Sequence, residues 1–332
     1  MEIVELGKTG IKVQKLGLGA GPFGSIYGET NEKECGETLN KALEHGPLYI
    51  DTAPWYGQGK SEAMLGKFLP DIPREKFVIA TKVARYETDP KKMFDFSHDR
   101  ALASVDESLK LLGLDYVDII QVHDCEFAPN IDIILNETLP ALEKVKKAGK
   151  AKFTGVTGYP LAVLDEIIKK STVKIDLVLG YTRGSMANQD LSKYLPDWKD
   201  RGIAVVNASP IAMGLFRKDG PQPWHPAQDE LKEEIKACIE LCNAENIDIS
   251  RLALRYSLDE IDGDIVLCGT ARPSELEENI KNATTPLTPT EKKILDKIME
   301  RLSKFSGHWE GRELEAFRNR INDVEDDLPF FR

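Results

Sequence analysis

The stretch Leu48-Tyr49-Ile50-Asp51-Thr52-Ala53-Pro54-Trp55-Tyr56-Gly57 decides how this chain is read: a short apolar run, Leu48 to Asp51, ends on a carboxylate and breaks into a polar loop. The run is too short for a helix and is bounded by turn residues, so it reads as a buried strand. The same unit recurs on both sides of it. Lys15 to Gly19, Lys76 to Thr81, Tyr116 to Val122, Lys152 to Val156, Asp176 to Gly180, Ile203 to Asn207 and Asp264 to Cys268 complete a set of eight strand candidates.

Amphipathic segments lie between them. Arg100 to Leu112 carries Leu102, Val105, Leu109 and Leu112 on one side, and Glu137 to Ala148 does the same with Leu139, Leu142 and Val145. Such stripes belong to helices that cover a sheet. Strands alternating with helices imply a parallel sheet, and eight is the number at which such a sheet closes. The expected fold is therefore α/β, a (β/α)8 TIM barrel, and no linker rich in Pro, Gly or Ser divides residues 1–332 into more than one domain.

Three segments stand outside the repeat. Val4 to Val13, centred on Gly7-Lys8-Thr9-Gly10, reads as an N-terminal β-hairpin suited to plug the closed end of the barrel. Thr288-Pro289-Thr290-Glu291 combines an N-cap Thr, Pro at the first helical position and Glu at the third, which predicts an extra C-terminal helix to about Ser303. The remaining tail, with Trp309, Phe317 and Phe330-Phe331, is aromatic enough to form a wall of a substrate site.

The 44 Lys and Arg are outnumbered by 55 Asp and Glu, a net charge of -11, which argues against a nucleic-acid partner. Met1 is followed by Glu2-Ile3-Val4-Glu5 rather than a basic and apolar leader, and no apolar stretch approaches the ~20 residues of a membrane span, so a cytoplasmic protein is expected. Cys35, Cys125, Cys238, Cys242 and Cys268 lack the partners of a metal site and are expected as reduced, packed thiols, with no metal.

Four polar residues fall where successive strands end: Asp51 and Tyr56 after the second, Lys82 after the third and His123 after the fourth. Singly, each has an ordinary structural explanation, a solvated Lys or a satisfied core His. Together they sit at the carboxyl ends of barrel strands, where barrel active sites lie. Their types suit carbonyl reduction. A free Tyr with a pKa about 10 is a weak acid at neutral pH, and a neighbouring ammonium favours its phenolate. Lys82 would be that ammonium for Tyr56, Asp51 would hold Lys82, and His123 would donate a hydrogen bond to the substrate oxygen.

The motif from Asp51-Thr52-Ala53-Pro54-Trp55-Tyr56 through Gly57-Gln58-Gly59-Lys60-Ser61-Glu62 to Leu65-Gly66 resembles the aldo-keto reductases, and the likeness runs nearly end to end. Phe94-Asp95-Phe96-Ser97, His123-Asp124-Cys125-Glu126-Phe127, Thr157-Gly158-Tyr159-Pro160-Leu161 and Asn207-Ala208-Ser209-Pro210 resemble the L-galactose dehydrogenase-like branch in particular. The resemblance implies an NAD(P)-dependent oxidoreductase with Asp51, Tyr56, Lys82 and His123 as its catalytic tetrad. It implies a sugar, aldehyde or ketone as substrate and a monomer or weak homodimer.

Gly19-Ala20-Gly21-Pro22-Phe23-Gly24 also satisfies a dinucleotide fingerprint, but Ser25 to Thr30 intervenes before a helix begins near Asn31, so a Rossmann fold is excluded. These glycines are expected to let the first loop approach the cofactor. In the family resembled, the cofactor lies across the barrel mouth, held from the ends of strands five to eight. The corresponding candidates here are Gly21, Asp51, Thr157, Tyr181, Ser209, Gly214, Gly269, Thr270, Arg272, Glu275, Glu278 and Asn279. Gly158 stands where an Asn is common, and Ala208 where a Tyr often stacks on the nicotinamide. Glu275 replaces a cation that would hold a 2′-phosphate, which favours NAD, while Arg272 keeps NADP open. Trp55, Tyr86, Asp124 and Glu126, with Trp309 from the tail, are expected around the substrate. The alternatives are a generic NADPH-dependent aldehyde or ketone reductase, or a cofactor-binding module that reports redox state to a partner.

Overall fold

A computed structural model describes residues 1–322, so Phe330 and Phe331 lie outside the described residues. A two-stranded antiparallel hairpin, β1 (Ile3–Glu5) and β2 (Lys12–Gln14), precedes eight parallel strands. These are β3 (Leu16–Gly19), β4 (Leu48–Asp51), β5 (Phe77–Val83), β6 (Val117–Val122), β7 (Ala151–Gly158), β8 (Leu177–Tyr181), β9 (Ala204–Ala208) and β10 (Ile265–Gly269). They pair in chain order, and β10 closes on β3 with Val266 beside Leu16 and Gly269 beside Gly19. All eight expected strands are present, their ends displaced by a few residues at most.

The strands are dominated by apolar residues because both faces of the sheet are covered. Inside the barrel, Tyr49, Val78, Ile119, Leu177, Val206 and Ile265 interlock. Outside, Ile50, Ile79, Ile120 and Val178 pack against helix residues such as Val105, Leu142 and Leu164. The hairpin closes the end of the barrel at which the strands begin. Leu6 and Val13 join the interior cluster, and the Lys8 amide donates to the Gly202 carbonyl at 2.9 Å. Gly7 is required there, since a Cβ would come within 2.5 Å of the Ala204 nitrogen.

The helix expected from Arg100 begins two residues earlier, at His98, and ends at Leu112, with Gly113 left-handed behind it. The next differs more. The amphipathic segment is α-helical only over Leu139–Lys147, preceded by a π-helical turn at Ile134–Thr138. Pro140 accounts for this: it has no N–H to give to the preceding turn, and its ring needs room there. The extra C-terminal helices are Pro289–Leu302, with both halves of the Thr288–Glu291 capping box formed, and Arg312–Ile321. No helix among the described residues is long and apolar enough to cross a membrane.

Candidate active site

At the end of the barrel opposite the hairpin the strand ends surround a cavity of about 720 Å³. The backbone is strained around it. Ala84, Asp124, Thr182 and Ser209, each within two residues of a strand's carboxyl end, all take positive φ, between 50° and 84°. Left-handed conformations at residues other than Gly cost on the order of 1–3 kcal/mol each and persist where the surroundings require them, commonly at functional sites.

Asp51 is the last residue of β4 and Lys82 lies near the end of β5, so parallel pairing brings them to the same rim. Tyr56 arrives on the loop after β4. Two features hold that loop: Ser61 Oγ donates to the Ala20 carbonyl at 2.6 Å and shares a 2.8 Å bond with Thr52 Oγ1. Gly24 lies so close beneath that a Cβ would sit 2.4 Å from the Tyr56 carbonyl oxygen. Gly24 thus admits a neighbouring loop of the chain itself.

Lys82 is 1% exposed. Its three N–H donors are all engaged: by the Asp51 carboxylate, by the Thr52 carbonyl at 2.8 Å and by Tyr56 Oη at 3.4 Å. Gln121 Nε2 donates to the other Asp51 oxygen at 2.9 Å and Tyr49 Oη reaches it at 3.4 Å, two supports that strand patterning does not reveal. The His123 ring stands edge-on to Tyr56 with centroids 5.9 Å apart. Its Nδ1 is buried without a hydrogen-bond partner among the described residues.

The electrostatics differ from the simplest expectation. Burial pushes the Tyr56 hydroxyl above its ordinary value of 10; Lys82 opposes the rise without cancelling it, and Asp51 adds to it. The phenol is thus held protonated. Burial works against the Lys82 charge, but Asp51 and Tyr56 more than offset it and keep the ammonium above its usual value. Burial, then Lys82 and Arg85, hold His123 well below 6.5, so its imidazole is neutral at neutral pH. A protonated phenol beside an ammonium, with a neutral imidazole facing it, can give a proton and a hydrogen bond to one oxygen.

Of the other residues singled out, Trp55, Asp124, Thr157, Tyr181 and Ser209 line the cavity with Asp51, Tyr56, Lys82 and His123. Tyr86 and Trp309 do not. Tyr86 is buried beneath Arg100, whose guanidinium lies 4.0 Å from its ring centroid, while its hydroxyl accepts from the Ala84 amide. Trp309 stacks on Tyr159 at 5.1 Å and is 2% exposed, while Trp224 takes a place on the cavity wall. Glu126 also lies behind the wall: one oxygen accepts from the Tyr159 amide, and the other would be 2.5 Å from a Cβ on Gly158. That contact explains Gly158, because Glu126 fills the space a larger residue would need. Ala208 is beside Tyr181 in the sheet register, so an aromatic ring stands next to the position that lacks one.

Gly21, Gly214, Gly269, Thr270, Arg272, Glu275, Glu278 and Asn279 lie off the cavity wall. Around the β10 loop, Thr270 Oγ1 donates to Glu275 at 2.8 Å and Arg272 pairs with Glu275 at 3.1 Å. Among the cations of the cavity wall, Lys60, Arg85 and Arg217 escaped the sequence reading. Lys60 sits inside the recognised motif and was legible there; the other two carry no local signal. The residues fit a dinucleotide. Leu179, Ala208 and Leu267 give an apolar floor, Thr157 and Ser209 add hydroxyls, and Lys60 and Arg217 add cations on the wall.

A parallel eight-stranded barrel with a Tyr-Lys-Asp-His group at its mouth defines a class, the barrel oxidoreductases that reduce carbonyls. Residues 15–300 match the model of the aldo/keto reductase family. The chain is 42% identical to the L-galactose dehydrogenase of Arabidopsis thaliana, over 86% of this chain and 88% of that one. It is 28% identical to a D-threo-aldose 1-dehydrogenase of a Pseudomonas species, with 83% and 91% covered. An aldo-keto reductase of Bacillus halodurans, solved in its holo form, superposes with a TM-score of 0.72 at 26% identity, over 90% of this chain and 96% of that one. The chain belongs to the aldo/keto reductase family. It is an NAD(P)-dependent oxidoreductase that interconverts an alcohol and a carbonyl.

Proposed function

We propose that this enzyme is a sugar dehydrogenase of the L-galactose dehydrogenase kind, oxidising the anomeric carbon of a neutral aldose, with NAD as the favoured cofactor. The observation that carries the reading is the 42% identity to a relative named for that activity. The more distant aldose 1-dehydrogenase supports the same substrate class.

When bound, the nicotinamide takes the hydride in oxidation and supplies it in reduction. The side chains move the proton. In reduction the Tyr56 O–H gives its proton to the forming alkoxide, and in oxidation the phenolate takes it from the substrate hydroxyl. Lys82 Nζ, 3.4 Å from Tyr56 Oη, stabilises the phenolate, and Asp51 with the Thr52 carbonyl keeps the ammonium aimed. His123, neutral in its buried setting, donates to the substrate oxygen.

Thr157, Tyr181 and Ser209 would contact the nicotinamide half, and Lys60 and Arg217 the pyrophosphate. Gly21 and Gly214 would leave backbone room, and Gly269, Thr270, Arg272, Glu275, Glu278 and Asn279 would form the adenosine end. Glu275 already engages Arg272, so a 2′-phosphate would meet a neutralised cation and a carboxylate. This supports NAD over NADP. The test is a steady-state comparison of L-galactose, other aldoses and simple aldehydes with each cofactor. The reading stands if L-galactose with NAD has the highest kcat/KM, and fails if reduction of a simple aldehyde with NADPH outruns every aldose.

A further inference from the structure

Two residues past the end of β5, where Ala84 takes φ 84°, the chain turns Arg85 back over the mouth of the cavity. Arg85 is 6% exposed. Its guanidinium lies 4.2 Å from the Trp55 ring centroid and 5.4 Å from that of Phe94, and Nη1 donates to Asp124 Oδ2 at 2.6 Å. Asp124, 4% exposed, has φ 50°, its amide donates to Thr157 Oγ1 at 3.2 Å, and its carboxylate lies 3.6 Å from His123 Nε2. Two opposite charges are thus held in an aromatic pocket directly beside the tetrad, and both face the cavity.

Stability is a poor reason for such a pair. Desolvating two charges commonly offsets their attraction, and apolar residues of similar volume serve a core as well or better. The left-handed backbone at Asp124 adds its own cost. What the pair does provide is a donor and an acceptor side by side, with no net charge between them. A phosphate or carboxylate placed there would meet Asp124, and an ammonium would meet Arg85. A hydroxyl accepts from one and donates to the other.

We infer that Arg85 and Asp124 form a clamp that determines specificity, reading the hydroxyl on the carbon next to the reacting one in a neutral polyhydroxylated substrate. The inference rests on the sugar dehydrogenase reading and deepens it. Trp55 and Phe94 serve as the platform that keeps the guanidinium aimed, so one face of Trp55 is given to Arg85 rather than to substrate. A deoxy analogue forgoes both hydrogen bonds to the clamp, which lowers kcat/KM roughly 10- to 100-fold.

The experiment compares an aldose with its 2-deoxy and 2-amino-2-deoxy counterparts, the latter placing an ammonium on the carbon next to the reacting one, in wild type, Arg85→Met and the charge-neutral double variant Arg85→Met/Asp124→Asn. NAD affinity is followed in each by quenching of intrinsic fluorescence. Wild type is expected to favour the aldose over the deoxy sugar by at least about tenfold and to reject the amino sugar, whose ammonium would face Arg85. In the variants the ratio collapses towards one while NAD still binds. If the variants bind NAD and keep the wild-type ratio, the clamp is overturned and the sugar reading survives. If wild type turns over simple aldehydes but no aldose, the sugar reading falls and the clamp with it. Should Arg85→Met alone fail to fold, the double variant, which does not leave the Asp124 carboxylate buried without its cation, decides the matter.

Discussion

The hydroxyl of Tyr181, at the end of β8, donates a 3.0 Å hydrogen bond to Glu313 on the helix Arg312–Ile321, 132 residues away in sequence. Glu313 also accepts from Trp309 Nε1 at 3.2 Å, and it is 5% exposed. Burial, with repulsion from Asp124 added, lifts its carboxyl from 4.5 to about 7 against the two hydrogen bonds. The C-terminal segment thus presses an acid against a cavity-lining ring.

This has a consequence for stability. Unfolded, Glu313 loses its proton near 4.5; folded, near 7. Between those values the folded state binds more protons, so the contribution of this group falls as pH rises through the window and is constant above it. The span corresponds to about 3 kcal/mol at most. Urea unfolding of Glu313→Gln should therefore show a stability relative to wild type that climbs by up to that amount between pH 4.5 and 7.5. A difference independent of pH would refute the assignment.

Tyr56→Phe removes the proton that the mechanism moves. Turnover should fall by at least ~10²- to 10⁴-fold in both directions, while direct titration gives an NAD affinity within a few-fold of wild type. Retained turnover would reject Tyr56 as the acid.

The direction of reaction should set the shape of the pH profile. Because burial holds the Tyr56 phenol above 10, oxidation, which needs the phenolate, should still be rising from pH 7 to 9.5. Reduction should stay flat over the same range. His123, neutral well below 6.5, adds no limb near that value. Lys82→Met removes the opposing ammonium and should lower oxidation further at every pH. An oxidation plateau already present at pH 7 would show that Lys82 outweighs burial.

Glu275→Ala should release Arg272 and strengthen NADP binding. Both side chains are about half exposed, so screening limits the gain to roughly three- to tenfold, smaller at high salt. Equal NADP affinities in wild type and variant, by titration, would remove Glu275 as the discriminator.

Gly24→Ala tests the support of the catalytic loop. Its Cβ would fall 2.4 Å from the Tyr56 carbonyl oxygen, a backbone atom that cannot swing aside. A loss of about 1–3 kcal/mol in stability is expected, together with a drop in kcat from a displaced Tyr56. Wild-type kcat in a stable variant would show that the loop yields without moving the hydroxyl.

Much of the fold was legible because the strands are buried on both faces and so read as short runs dominated by apolar residues. Leu48–Asp51 was located to the residue, and Thr288 with Glu291 marked a helix start by capping chemistry. The π-helical turn ahead of Leu139 was missed, although Pro140 was visible in the sequence as a reason for it. At the site, Asp51, Tyr56, Lys82 and His123 were legible because residue type and strand end coincide. Arg85 was not, because two φ angles of the left-handed kind and a partner 39 residues away decide where it points. Tyr86, its neighbour, shows the same limit: it was placed at the substrate and lies instead beneath Arg100.

The sequence by itself determined the eight strands, their parallel order, the rim on which the four polar residues gather and the family to which they belong. Local patterning suffices for those, since periodicity and turn chemistry act over a few residues. Only the tertiary structure decided that burial outweighs Lys82 at Tyr56, that Glu126 explains Gly158, and that Trp309 supports Tyr159 while Trp224 faces the cavity. Those outcomes depend on which side chains remote in sequence share a desolvated volume, and that is a property of packing rather than of any segment read alone.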